Sequence, residues 1–121
     1  MLNGMNPVDI AARSDLINEH WSPKIVAELN GQQVKLAKLK GEFVWHSHDV
    51  DELFFVLEGE FEMHLRGSVL PLKKGEMVVV PAGVEHKPVA HEEATVMLIE
   101  PVGVVNTGET GGDLTHEAEW I

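Results

Sequence analysis

Apolar and polar residues alternate along most of this chain with a period of two, and glycine or proline breaks the alternation at short intervals. The segments this predicts as strands are Ile25 to Ala27, Gln33 to Lys40, Phe43 to His48, Leu53 to Leu57, Glu60 to Arg66, Val69 to Leu72, Met77 to Val80 and Thr95 to Glu100. Between them stand Asn30-Gly31, Gly59, Gly67-Ser68, Lys74-Gly75 and Pro81-Ala82-Gly83, residues suited to tight turns. Short strands so punctuated, with no helical linker or repeat between them, predict an all-β sandwich or barrel. Before Lys24 two readings stand: Asn6-Pro7 ahead of Asp9 resembles a helix start, while Val8, Ile10 and Ala12 alternate as a strand does. An extended arm is preferred. After Pro101 the composition turns to Gly, Thr, Asn and Glu, which reads as a loop and loosely held tail, with Trp120-Ile121 able to dock on a surface. The expected organisation is an N-terminal arm over residues 1–23, a barrel over 24–105 and a polar C-terminal tail over 106–121.

Two strands are apolar at every position, Leu53-Phe54-Phe55-Val56-Leu57 and Met77-Val78-Val79-Val80. Such runs call for burial on both faces. One face would be the barrel interior; the other needs a cover, from the N-terminal arm or from a second copy of the chain, and a homodimer is the favoured expectation.

Composition narrows the picture. With 121 residues the chain is of one-domain size, and the absence of Cys excludes disulfides and thiolate metal sites. Nine Lys and Arg against twenty Asp and Glu give a net charge of −11, which repels nucleic-acid backbones and anionic membranes. No apolar run approaches the ~18 residues of a membrane span, and no basic-then-apolar start of signal type is present. A cytoplasmic protein with a small-molecule ligand is the default expectation.

The chemistry concentrates in four residues. His46 and His48 are two apart, so on a strand their imidazoles point to one face. Glu52 follows just before an apolar strand, where a turn would return the chain beside the first, and His86 lies beyond the Pro81/Gly83 turn on a neighbouring hairpin. Three neutral nitrogens and one anionic oxygen suit a single divalent transition metal, whether Fe, Mn, Co, Ni, Cu or Zn. The other histidines carry no such pattern. His64 falls in phase with Glu60, Glu62 and Arg66 on a polar face, and His20, His91 and His116 lie in polar loops or the tail.

The spacing Gly41-x4-His46-x-His48-x3-Glu52-x6-Gly59 resembles the first motif of the cupin superfamily, and Gly75-x5-Pro81-x-Gly83-x2-His86 resembles the second. The resemblance implies a small double-stranded β-helix, a jelly-roll barrel, in which the family's metal ligands map onto His46, His48, Glu52 and His86. Small cupins of this kind are often grouped with mannose-6-phosphate isomerases, and cupins commonly dimerise through a sheet face. Two positions depart from the family pattern: four residues rather than five separate the first Gly from the first His, and Ala90 stands where an Asn is usual. Neither is a ligand position; Ala90 removes a polar group that could orient a neighbour.

If His46 and His48 point inward, so does Val44; if Glu52 does, so do Phe54 and Val56; and Phe61, Met63 and Leu65 share the apolar face of the next strand. The expected substrate pocket is therefore apolar, walled by Val44, Phe54, Val56, Met63 and Leu65. No Lys or Arg is in phase with these positions, the cations such as Lys35, Lys38 and Lys40 reading as scattered, which argues against a phosphate clamp and a sugar-phosphate substrate. Trp21 and Trp45 read as packing residues, Trp45 being turned away from the metal. No acid, base or nucleophile beyond the metal set is identifiable, so no catalytic residue is assigned. Two functions fit: a mononuclear metal-dependent enzyme acting on a small oxygen-rich molecule, an oxygenase with Fe(II) or a Lewis-acid isomerase or lyase with Zn, Mn or Ni; or a non-catalytic small-molecule or metal-binding sensor barrel.

Overall fold

The computed structural model describes residues 5–121, so positions 1–4 of the expected arm lie outside it. The period-two segments become strands β1 (Lys24–Leu29), β2 (Gln32–Glu42), β3 (Glu52–Glu58), β4 (Glu60–Leu65), β5 (Ser68–Lys73), β6 (Met77–Val80), β7 (His86–Pro101) and β8 (Glu119–Trp120). The all-β expectation is met. Two long strands organise the sheet: β2 pairs antiparallel with β7 from Gln32↔Pro101 to Glu42↔Val89. The first half of β7 also pairs with β4 and its second half with β3, while β6 extends β3 and β5 extends β4. Thr95 to Glu100 is thus the end of a 16-residue strand. One side of this arrangement holds the core, built from Leu39, Phe54, Val56, Phe61, Met63, Ala94, Val96 and Leu98.

The sequence expectation of a strand over Phe43 to His48 is not met. β2 ends at Glu42 after a bulge between Leu39 and Gly41, where Gly41 has a φ of 81°; the Phe43 amide still donates to the Pro88 carbonyl, and beyond it the chain leaves the ladder. Contact is regained at one isolated bridge, His46↔His86.

The arm contains a helix, α1 (Ile10–Ser14), in place of the extended conformation preferred above. The Asp9 side chain caps it, accepting from the Ala12 amide at 3.0 Å. Five residues make too short a helix to persist alone. It is held by packing: Ile10 and Ile17 lie with Val26, Val34, Leu36, Leu57, Met97 and Ile121 in a second apolar cluster on the outer sheet face. The arm therefore supplies part of the cover that the doubly apolar β3 demands. The edge it leaves open is β6, where Met77 and Val79 are 62% and 50% exposed.

The segment after β7 is packed, in contrast to the loose tail expected. Asn106 Nδ2 donates to the carbonyls of Trp21 and Leu114 at 3.0 and 2.9 Å, and its Oδ1 accepts from the His116 amide at 2.9 Å. Thr107 is fully buried, its hydroxyl 2.7 Å from that of Thr115. Such side-chain bonds to backbone let an irregular segment lie against the barrel with its polar groups satisfied. Trp120-Ile121 does dock: β8 runs parallel to β1, and the Ile121 amide donates to the Ile25 carbonyl. Among the described residues no helix is long and apolar enough to cross a membrane.

Candidate metal centre

His46, His48, Glu52 and His86 converge: each offers a ligand atom, and these atoms all lie within 4.8 Å of one another. Three different devices bring them together. His46 is held opposite His86 by paired backbone bonds, His46 N to His86 O at 3.1 Å and His86 N to His46 O at 2.9 Å. The Pro81–Gly83 turn is tied to the His48–Asp51 loop, since the Gly83 amide donates to the His48 carbonyl and the Ala82 amide to the Asp51 carboxylate. Glu52 is the first residue of β3, fixed by its ladder partner Val80.

The rings are oriented as ligands need. His46 Nδ1 lies 2.9 Å from its neighbour Val44's carbonyl, and His86 Nδ1 lies 2.9 Å from that of Val84. A carbonyl only accepts, so each Nδ1 carries the proton and leaves the Nε2 lone pair facing the centre. Glu52 Oε1 sits 3.7 Å from His48 Nε2 and 3.5 Å from His86 Nε2. All three of these atoms are buried without a hydrogen-bond partner. Orphaned polar atoms are rare in protein interiors, and a cation at their common centre satisfies all of them. The four residues therefore fit one divalent metal, as their chemistry predicted, and the donor set leaves the element open.

Electrostatics agree with that fit. Burial, then the neighbouring His86, holds His46 down to about 4, and burial likewise lowers His48 and His86, so all three rings are neutral and ready to ligate. Burial raises Glu52. A bound cation acts the other way on that carboxyl.

A cavity of about 30 Å³ adjoins the centre, lined by His46 and Glu52 together with Trp21, Phe43, Phe54, Leu98, Glu100 and Asn106 among others. Of the five pocket residues expected from the sequence, Phe54 lines it. Val56 and Met63 are fully buried in the core, and Val44 and Leu65 pack against that core. Trp45 turns outward, with the Arg66 guanidinium 3.8 Å over its ring. Trp21 is both a packing and a lining residue: it stacks on Phe43 at 4.7 Å and 22°, and has a φ of 61°, unusual for a bulky side chain. Its Nε1–H donates to the Lys40 carbonyl and its amide to that of Lys38, which hold it there.

The expectation that cations stay off the inward face needs correction. Lys35 lies inward, in phase with Ala37 and Leu39, and is 1% exposed. Its Nζ donates to Glu100 Oε1 at 2.8 Å and to the Val104 carbonyl at 3.3 Å. Glu100, in phase with Val96 and Leu98, is pushed up to about 8 by burial and then by Glu52 beside it. Both phases were readable, and the cross-strand register puts Lys35 opposite Leu98 and Gln33 opposite Glu100, so the two charges are diagonal neighbours. No local pattern marks Trp21 or Asn106, which arrive from outside the strands. His20, His64 and His91 lie away from the centre against Glu93, Glu62 and Glu62 respectively, and His116 lies in the C-terminal segment.

Comparison with known proteins adds a family and a set of relatives. Residues 28–102 match the family model described as the Cupin domain. The uncharacterized protein YdbB of Bacillus subtilis is 31% identical over 104 residues, spanning 76% of this chain and 92% of that protein. A solved structure, a cupin-2 domain containing protein from Shewanella frigidimarina, is 49% identical with a TM-score of 0.76, over 78% of this chain and 93% of that one. The acireductone dioxygenase of Gluconobacter oxydans is 33% identical over 66 residues, which is 50% of this chain and 35% of that enzyme. The jelly-roll topology expected from the two motifs is the fold this likeness gives.

Proposed function

The chain belongs to the cupin family, and on that premise we propose that it is a mononuclear metal-dependent enzyme acting on a small oxygen-rich molecule. The observation that carries the reading is the convergence of three buried, unpartnered ligand atoms, His48 Nε2, Glu52 Oε1 and His86 Nε2, beside a cavity. A divalent ion held by His46, His48, Glu52 and His86 would leave the site near net +1 and would supply Lewis-acid chemistry there. The chain's own residues do the rest: Val44 and Val84 fix the ring tautomers, the apolar wall of Trp21, Phe43, Phe54 and Leu98 excludes bulk water, and Glu100 and Asn106 add polar points. Partial likeness to an acireductone dioxygenase supports an oxygenase. The alternative, a non-catalytic binding or sensor barrel, draws support from the cavity's size, about 30 Å³, which admits on the order of two water-sized groups.

Elemental analysis of purified wild type and His48→Ala tests the metal part. Close to one transition metal per chain is expected for the wild type, with most of it lost in the variant. Unchanged metal content in His48→Ala would overturn the ligand set. Oxygen uptake by the Fe(II) form with small hydroxylated carbonyl compounds then separates the oxygenase from the sensor, which binds them without consuming oxygen.

A further inference from the structure

Outside the ligand set, one buried side-chain oxygen or nitrogen lacks a hydrogen bond among the described residues: Glu100 Oε2. Glu100 is 2% exposed and lines the same cavity as His46 and Glu52, amid Trp21, Phe54 and Leu98. Its other oxygen is fixed by Lys35, which Val104 also anchors. Lys35 thus holds the carboxyl at one oxygen, and the Glu52 carboxyl lies within hydrogen-bonding reach of it, a contact that needs a proton on one of the two. A buried polar atom in an apolar wall is costly until something bound satisfies it.

We infer that Glu100 Oε2 is a recognition point for a hydroxyl on a small ligand that enters the cavity it shares with His46 and Glu52. The ligand class is a small compound bearing a hydroxyl on the carbon next to the one that carries its metal-binding oxygen, such as an α-hydroxy acid or α-hydroxy ketone. A hydroxyl both donates and accepts, so it suits Glu100 whether or not that carboxyl carries a proton. A second carboxylate or a phosphate there only accepts, and brings negative charge against Glu52 and Glu100. An apolar substituent leaves Oε2 unsatisfied. The inference rests on the metal reading above, and metal content is measured first so that the two can fail separately.

The test uses cobalt-loaded protein titrated with glycolate and with acetate, which share a carboxylate and differ in the hydroxyl, read by the visible spectrum of the cobalt. The comparison variant is Lys35→Met with Glu100→Leu, which removes the ion pair as a unit and leaves neither charge stranded. Chelation by the hydroxyl is common to both proteins and cancels in the ratio. The glycolate-over-acetate ratio should be about tenfold higher in the wild type than in the double variant, the scale of one buried hydrogen bond made rather than left unmade. Ratios equal to within about twofold overturn the inference. So does a cobalt spectrum that neither probe perturbs. If the variant fails to fold, the wild-type cobalt–glycolate crystal structure decides: a hydroxyl within ~3.2 Å of Glu100 Oε2 supports the inference and one beyond ~3.5 Å overturns it. Failure to hold about one cobalt per chain overturns the metal reading and this inference with it; cobalt held with unchanged ratios overturns this inference alone.

Discussion

His46 and His86 face each other as a backbone-paired bridge, each donating its amide to the other's carbonyl at 3.1 and 2.9 Å, although His46 belongs to no strand. Their rings stand 4.2 Å apart, centroid to centroid. The bridge sets the distance between the two imidazoles without relying on the ladder that ends at Glu42, so the bulge at Leu39/Gly41 lets the chain bend while their spacing is kept.

Stability without metal should peak near neutral pH. His46 sits at about 4 against an ordinary 6.5, so between those values the unfolded chain holds a proton that the folded one refuses, and stability falls as pH drops below ~6.5. His48 and His86 are shifted in the same direction. Glu100, at about 8 against an ordinary 4.5, and the raised Glu52 act oppositely, because the folded state keeps protons that the unfolded state has released. Their contribution is lost as pH rises through the folded value. Three imidazoles outnumber two carboxyls below ~6.5, and above it only the carboxyls count, so the metal-free optimum lies near ~6.5. Metal requires neutral imidazoles and an ionised Glu52, so the difference in Tm between metal-loaded and chelator-treated protein should widen from pH ~5.5 to ~8. Thermal melts across that range check this, and a difference that narrows with rising pH sinks it.

What the sequence disclosed, and what it hid, divides by the range of the interactions. Alternation and glycine punctuation located most strands because each residue's face depends on its near neighbours. The convergence of His46, His48, Glu52 and His86 was legible because the first three are close in sequence and His86 follows its own turn. The Phe43 to His48 segment was misread since a bulge and a positive φ at Gly41 outweigh local β character. Extended character was preferred for the arm because Val8, Ile10 and Ala12 alternate, yet the Asp9 cap and the packing of Ile10 and Ile17 decide for a helix turn. Trp21 and Asn106 meet at the cavity through a hydrogen bond spanning 85 residues, which no local pattern encodes.

Gly108→Ala should weaken metal binding from a distance. A Cβ at Gly108 would collide with the Ser47 carbonyl oxygen and lie 3.5 Å from His48 Nδ1, and the residue has a φ of 57°. Either the C-terminal segment or the Ser47-His48 backbone must move. Because Thr110 also bonds the Trp45 carbonyl, the displacement reaches the ligand segment. Metal affinity should fall by about tenfold, comparable to losing a residue that orients a ligand. Competition with a chelator of known affinity measures it, and an unchanged affinity shows that the tail yields instead.

The Lys35–Glu100 pair should show strong non-additivity in stability. Glu100→Leu leaves an ammonium that is 1% exposed facing only the Val104 carbonyl and should cost about 3–5 kcal/mol. Lys35→Met should cost less, since Glu100, already pushed up to about 8, can take a proton and become neutral. Changing both should recover most of the loss, because apolar replacements of similar volume avoid stranding a charge. Denaturant unfolding of the three variants reads the coupling; additive costs would show that the pair is not a unit.

The edge that α1 leaves bare predicts a homodimer. Met77 and Val79 are exposed beside Phe55 and Leu53, their register partners, and Leu53 is in turn paired with Ile99 on β7. The outer faces of three adjacent strands thus present one apolar surface, large enough to seed an interface if a second copy meets it across a two-fold axis. Such an interface must bury more than about 1,000 Å² in total to persist at micromolar concentration. Sedimentation should show a species of twice 13.4 kDa for the wild type. Met77→Lys with Val79→Lys should return it to the 13.4 kDa monomer while leaving metal content unchanged, since neither residue touches the ligand set. A monomeric wild type removes the dimer, and a double variant that remains dimeric moves the interface to another face.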